Sequence, residues 1–505
     1  MRNRSSSSAL LTALAGSGSA PRFLASNGNV MPYGESVATT NNYRYNFKKR
    51  RFTSSGVNPR GTYCGFFVAP GYEQDADSDV TVQSGMLSVV SGIYYPGTFG
   101  GASTGVVAKG SYNTVTWPCP ITAGLDFIEC NLVVGPSAST KYLYSHPSVA
   151  YRDEGFVEGT SAGSVYNLAT GAGIGRLAVG TPSMSSNTVA SVAATQGGSE
   201  YGAFGLIFFV ANEAGGKDAD YAASTTGGVF TGGYPNNFGS GFVTAPQTFV
   251  VNNYAKDTSI YAASIVTLEV SGAAPVSGVI CGDSIARGYT SSDAYGDAKG
   301  NFGILERGFN SQFGILNLSV TGQRAVGFPT TKSYAAITGS GVTINYCLIE
   351  LGINDVTAGT TFSDLADANK AIADYWRAKG AKIQFTTLLP STTGTFTGDP
   401  STNQTANTGA GSSGVRTTYN AAIRSGSDSR LVGDYAPLDI SYVLEDRTYP
   451  WAWNGSAGIA LTADGSHPRG WSDAPAAKTG TTYNFFPSRG IEYFTTNAVM
   501  PKIYA

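Results

Sequence analysis

The pattern of apolar residues changes once along the chain, between about residues 270 and 276, and this change limits the fold more than any other feature. From 61 to 270 the apolar stretches are short and separated by Gly, Ser, Thr and Asn: "GTYCGFFVAP", "MLSVVSGIYYPG", "LDFIECNLVVG", "YGAFGLIFFVA", "QTFVVNNYA", "YAASIVTLEVSG". These are strand signals at the spacing of an all-β sandwich or barrel. After the linker-like "SGAAPVSG", strands alternate with helices. Strands are expected at 276–281, 314–320, 343–352 and 382–390. A helix is expected at 363–380, with Ser363 as cap, Asp364 and Asp367 in the first turn and Gly380 as the stop, and another at 415–426. Such alternation predicts a parallel sheet with helices on both faces. The division that follows is a polar arm or attachment segment over 1–60, a β-rich, sandwich-like binding or attachment domain over 61–270, and an α/β domain over 276–505.

At 505 residues the chain has room for two or three cores. Charged residues make up 13%, about half the usual ~25%. With 65 glycines and many hydroxyl side chains, this composition suits an extracellular or virion-associated protein. A net charge of −2 carries no electrostatic footprint for nucleic acid. The one basic cluster, Lys48-Lys49-Arg50-Arg51, reads as a solvated face or docking spot. The start, "MRNRSSSSALLTALAGSGSAP", has the order of a minimal signal peptide, with a short, Ser-diluted apolar run. No run approaches the ~20 apolar residues of a spanning helix. Five cysteines form no CxxC pair. Cys281 and Cys347 lie in apolar runs as buried thiols, and a Cys119–Cys130 disulfide is an open alternative to free thiols.

Within the α/β half, "VICGDSIARGY" at 279–289 ends a strand and opens a helix at Ser284. A serine there is either a helix cap or a nucleophile aimed at a cleft. The chain holds two histidines, His146 and His467. His467 lies in "TADGSHPRG", three residues after Asp464. A carboxylate that holds one ring N–H leaves the other ring nitrogen free to take a hydroxyl proton. Preorganised donors for an oxyanion are available at Gly322, in "NLSVTGQRA", at Asn354, in "LGIND", and at the Ser284 N–H. Asp283 and Asp355 read as structural acceptors of backbone N–H groups. Gly159-Thr160-Ser161-Ala162-Gly163 matches G-x-S-x-G, but it lies in the β-rich half without the strand and helix that motif needs. His146 reads as a loop or core histidine. Trp451, Trp453 and Trp471 flank the Asp-His loop and either stack on sugar faces or pack the loop.

Gly282-Asp283-Ser284, Gly322, Gly352-Ile353-Asn354-Asp355 and Asp464-Gly465-Ser466-His467 occur in the order of the four blocks of the SGNH (GDSL-type) hydrolases, which residues 276–475 resemble. The resemblance implies a flavodoxin-like three-layer α/β/α fold and ester hydrolysis. Ser284 would be the nucleophile, His467 the base and Asp464 its orienter, with an oxyanion hole of Ser284, Gly322 and Asn354. Such chemistry needs no metal or organic cofactor. Where the family often carries a long helix after the histidine, "PRGWSDAPAAKTGTTYNFF" is interrupted by Pro and Gly. The expected substrate is a small acyl ester, an O-acetyl group on a carbohydrate above all. The rate should rise through about pH 6–7 as an imidazole base loses its proton. The uncharged β-rich half with its polar arm also resembles phage tail or fibre proteins. The alternative is therefore a virion structural protein, oligomeric and host-attaching, that carries a hydrolase domain.

Overall fold

In a computed structural model of the chain, the described residues are 20–26, 29–32, 34–35, 42–88, 93–144, 154–159, 178–196, 205–210, 217–226, 229–240, 243–252, 263–270, 275–287, 305–306, 309, 313–328, 331–454, 461–462 and 464–468. The α/β half is organised by a parallel sheet. Ser277–Gly282 is flanked by Gly314–Asn317 on one side and Tyr346–Glu350 on the other. Lys382–Phe385 lies beyond Tyr346–Glu350, and Asn29–Val30 lies beyond Gly314–Asn317. The central strands are buried at nearly every position because both faces are covered. Val279, Cys281, Leu316, Cys347 and Ile349 join one apolar cluster. Ile280, Ile315, Tyr346 and Leu348 join another, on the alternate side.

The first cluster is closed by helices Thr331–Ser340, Phe362–Ala378 and Val415–Ser425. Phe362–Ala378 buries Leu365, Ala366, Asn369, Ile372, Ala373 and Trp376, the stripe of a one-sided helix. Its cap is Thr361 rather than Ser363: the Thr361 hydroxyl accepts from the Asp364 N–H at 3.2 Å. Val415–Ser425 ends where Gly426 turns left-handed at φ 65°. The second cluster is closed by Ile285, Leu305, Phe309, Ile440, Leu444 and Trp453. Among the described residues no helix is long and apolar enough to cross a membrane.

The β-rich half is more than one sandwich. One antiparallel sheet runs Arg22–Leu24, Ile265–Glu269, Gly56–Cys64, Tyr112–Thr116. A second runs Gly105–Val107, Val80–Ser88, Asp126–Val134, Tyr43–Arg51, Glu154–Gly159. They share a core in which Tyr63, Val115, Val266 and Leu268 of the first sheet join Val82, Met86, Phe127 and Val133 of the second. Six further strands between Ala178 and Asn252 close into a separate antiparallel barrel.

Three expectations change here. The described residues within 20–60 do not form an arm. Arg22–Leu24 and Tyr43–Arg51 belong to the two sheets, and Asn29–Val30 extends the parallel sheet of the other half. Several of their polar residues, Arg44, Asn46, Lys48, Arg50 and Arg51 among them, are buried rather than facing water. The basic cluster is the clearest case, for Lys48, Arg50 and Arg51 are buried. Arg50 Nε donates to Glu129 at 2.5 Å and its terminal nitrogen to the Ala263 carbonyl at 2.9 Å, while Arg51 grips Asp126 with two bonds of 2.6 and 2.9 Å. Burial pushes the Glu129 carboxyl up, but Arg50, the Ala263 N–H and Asn131 together hold it below its ordinary value. Finally, all five cysteines are buried thiols with no disulfide, so Cys119 and Cys130 are not bridged.

The two halves pack against each other. Leu24, Met31, Cys64, Phe66, Val68 and Ile265 pack in the same cluster as the parallel sheet. The Leu24 N–H donates to Ser277 Oγ at 2.6 Å and Asn29 Nδ2 to the Ile315 carbonyl at 3.1 Å.

Candidate active site

The chain leaves Ser277–Gly282 for one neighbouring strand and then crosses to the other, so the sheet's order reverses at this strand. A crevice at the carboxyl ends of strands is expected at such a switch point. Gly282, Asp283 and Ser284 stand there. A Cβ on Gly282 would lie 2.5 Å from Ala286 Cβ and 2.7 Å from Ser319 Oγ, so only glycine admits this strand-to-helix turn. Asp283 Oδ1 accepts from the Ile285 N–H at 2.8 Å and starts the four-residue helix Ser284–Arg287. Ser284 is buried.

The loop with Asp464 and His467 reaches Ser284 from 183 residues further along. Asp464 Oδ1 accepts from the backbone N–H groups of Ser466 (2.9 Å) and His467 (2.8 Å), folding the loop back on its own carboxylate. Asp464 Oδ2 is then 2.6 Å from His467 Nδ1, and His467 Nε2 is 2.7 Å from Ser284 Oγ. Burial raises the Asp464 carboxyl, but the imidazole and the two backbone N–H groups outweigh it and hold the carboxyl well below the usual carboxylate range. An ionised carboxylate only accepts, so Nδ1 carries the ring proton and Nε2 is left to accept from the serine hydroxyl.

Sequence reasoning did not find what holds that loop. Gly465 has φ 80°, and a Cβ on it would lie 1.8 Å from the Thr392 carbonyl oxygen. The Gly465 carbonyl accepts from the Thr392 N–H at 2.9 Å and from Trp453 Nε1 at 2.8 Å. Thr462 Oγ1 accepts from the Gly465 N–H at 2.9 Å and donates to the His467 carbonyl at 2.7 Å. Trp453 is therefore a buried clamp on the loop rather than a sugar-stacking platform. Trp451 is half-buried and meets the Tyr449 ring edge-on. Trp471, His146 and residues 160–163 of the G-x-S-x-G match lie outside the described residues.

The other two blocks follow the neighbouring strands. Gly322 turns left-handed at φ 76° after Gly314–Asn317. Asn354 follows Tyr346–Glu350, and its Nδ2 donates to the Gln323 carbonyl at 2.9 Å and lies 3.4 Å from Asp283 Oδ2. Asp355 accepts from the N–H groups of Ala325 (2.8 Å) and Val326 (3.0 Å), pinning the loop that carries Gly322. Gln323 and Glu350 are buried members of this site that no sequence motif revealed. The Asp283 N–H lies 3.4 Å from Glu350 Oε2 beneath the serine. Burial pushes the Asp283 carboxyl up to about 6, against the pull of the Ile285 N–H and His467. Burial, and then the charge of Asp283, push Glu350 well above its ordinary value.

No family model matches the chain, and no curated protein matches it. Among solved structures it is similar to a GDSL-like lipase from Bacteroides thetaiotaomicron (14% identity, 45% of this chain and 87% of that one, TM-score 0.28). It is also similar to a psychrotrophic esterase from Pseudoalteromonas sp. (13%, 45% and 98%, 0.28) and to an acetylxylan esterase from Geobacillus stearothermophilus (14%, 45% and 93%, 0.24). All three are esterases or lipases by name.

Proposed function

We propose that this chain is a serine esterase of the GDSL type that removes small acyl groups, O-acetyl above all, from a carbohydrate. The observation that carries this reading is the hydrogen-bonded line Asp464–His467–Ser284 at the sheet's switch point, with spans of 2.6 and 2.7 Å. Ser284 Oγ attacks the acyl carbonyl carbon as His467 Nε2 takes its proton. Asp464 holds the imidazole in the required tautomer and balances the imidazolium that forms. The carbonyl oxygen becomes an oxyanion, and the N–H groups of Ser284 and Gly322 with Asn354 Nδ2 are its donors. The alcohol leaves with the proton from His467. Water, deprotonated by His467, then attacks the acyl-serine and releases the acid.

The carbohydrate preference is supported by the hydroxyl-rich composition and by the β-rich half that packs against the hydrolase sheet. Acetate release from p-nitrophenyl acetate and from acetylated xylan tests both levels. Ser284→Ala and His467→Ala should each lower turnover by about three orders of magnitude or more. A folded wild-type chain inert on every ester would refute the esterase. Turnover of the simple ester alone would refute the carbohydrate preference.

A further inference from the structure

The β-rich half sends one hairpin into the hydrolase half, beside the candidate oxyanion donors. Strands Phe66–Ala69 and Tyr72–Asp75 pair in register and turn at Pro70 and Gly71, where Gly71 has φ 81°. The hairpin is rooted in both cores. Phe66 and Val68 pack with the parallel sheet, and Phe67 and Ala69 pack with the antiparallel sheets. At its tip the Gly71 N–H donates to Gln323 Oε1 at 3.2 Å. Pro70 lies against Gly322, with Cγ 3.6 Å from where a Cβ would stand. On the return strand, Glu73 accepts from the N–H groups of Lys332 (2.6 Å) and Ser333 (2.8 Å) and from Ser333 Oγ (2.6 Å). The helix Thr331–Ser340 has no acidic residue of its own in its first turn, so the hairpin supplies its capping carboxylate. Lys332 and Asp75 add an ion pair. The segment from Gly322 to Ser333 is thus braced at both ends by the other half of the protein.

Gln323 is where this brace meets the chemistry. Its side chain is wholly buried, with Oε1 held by the hairpin tip and Nε2 donating to the Arg324 carbonyl at 2.6 Å. Its own carbonyl holds Asn354 Nδ2, and Gly322 immediately precedes it. Oxyanion donors work only when they are fixed before the charge develops. We propose that hairpin 66–75 is part of the esterase site, and that Gln323, clamped by its tip, is the positioning residue that aligns Gly322 N–H and Asn354 Nδ2 on the oxyanion. This rests on the esterase reading above. It makes the β-rich half a component of the catalytic unit rather than only a binding module.

The test uses the full chain with Gln323→Met, which keeps the volume but removes both side-chain hydrogen bonds, and Gln323→Glu, which restores the acceptor for Gly71. For each protein, kcat and KM on p-nitrophenyl acetate are measured per active site, and sites are counted by labelling with a p-nitrophenyl alkylphosphonate. For Gln323→Met, kcat per labelled site should fall at least tenfold with KM within twofold, and the labelling rate should fall in parallel. Gln323→Glu should recover part of the loss. If Gln323→Met labels fewer sites but each turns over at the wild-type kcat, the hairpin only holds the fold together and the proposal is overturned. Unchanged kcat and labelling overturn it equally. A wild-type chain that neither turns over nor labels overturns the esterase reading, and this proposal with it.

Discussion

Gly465→Ala offers a test of the candidate active-site loop that touches none of the groups in the proposed relay. Gly465 stands between Asp464 and His467 at φ 80°, and its added Cβ would lie 1.8 Å from the Thr392 carbonyl oxygen. Left-handed backbone costs a residue with a Cβ about 1–2 kcal/mol. The collision is with backbone, so it is relieved only if the loop and Thr392 move apart. That movement breaks the bonds from the Thr392 N–H and Trp453 Nε1 to the Gly465 carbonyl. Each buried donor left without an acceptor costs about 1–3 kcal/mol. The seated loop itself carries the left-handed cost and an overpacking cost of about 1–3 kcal/mol, on the order of 4 kcal/mol relative to displaced forms. At 1.36 kcal/mol per factor of ten this is about three orders of magnitude in kcat/KM. The melting temperature should fall by several degrees as well, because the displaced loop leaves Trp453 Nε1 and the Thr392 N–H without their acceptor. The assay is steady-state hydrolysis of p-nitrophenyl acetate beside a melting curve, with His467→Ala as the floor. A folded Gly465→Ala chain within threefold of wild type would show that the loop tolerates the shift and that its described geometry does not govern the rate.

Two further outcomes are expected. Asp283 keeps its proton to about pH 6 in the folded chain against 3.8 in the unfolded one. The native state thus binds the extra proton between these values, and the stability it brings is full below 3.8 and lost as pH rises through 6, up to about 3 kcal/mol. Asp283→Asn should flatten the fall in melting temperature between pH 4 and 7, whereas parallel curves for variant and wild type would refute the buried-carboxyl reading. Residues 276–505 alone should not fold. They would lose Leu24, Met31, Phe66, Val68 and Ile265 from the sheet's cluster, about 10 kcal/mol of burial at 1.5–3 kcal/mol each. That equals the whole stability of a typical domain, and a sharp melting transition of the isolated fragment would overturn it.

The parallel sheet was legible because its strands are buried on both faces, and such strands write themselves as unbroken apolar runs. Tyr346–Glu350 and Lys382–Phe385 fall within the expected segments. Ser284, Asp464 and His467 were legible because strand ends and a tight Asp-x-x-His turn leave local signatures. What was not legible is pairing at a distance. Arg50 and Arg51 look like a surface patch until Glu129 and Asp126 stand opposite them. Asn29–Val30 offers two residues of a strand, too few for any period to show. Gln323 and Glu73 act through partners about 250 residues away, and Trp453, which the sequence leaves open between stacking and packing, has its role decided by its indole N–H.

The edge strand Asn29–Val30 also has a consequence for how the chain is made. Its partner, Gly314–Asn317, is synthesised almost 290 residues later. At about 5–20 residues per second, the ribosome takes roughly 15–60 s to produce that partner. Arg22–Leu24 waits nearly as long for Ile265–Glu269. During this interval Phe23, Leu24 and Met31, all buried in the finished protein, have no finished surface to cover them. The earliest described segment to emerge is thus among the last to be seated.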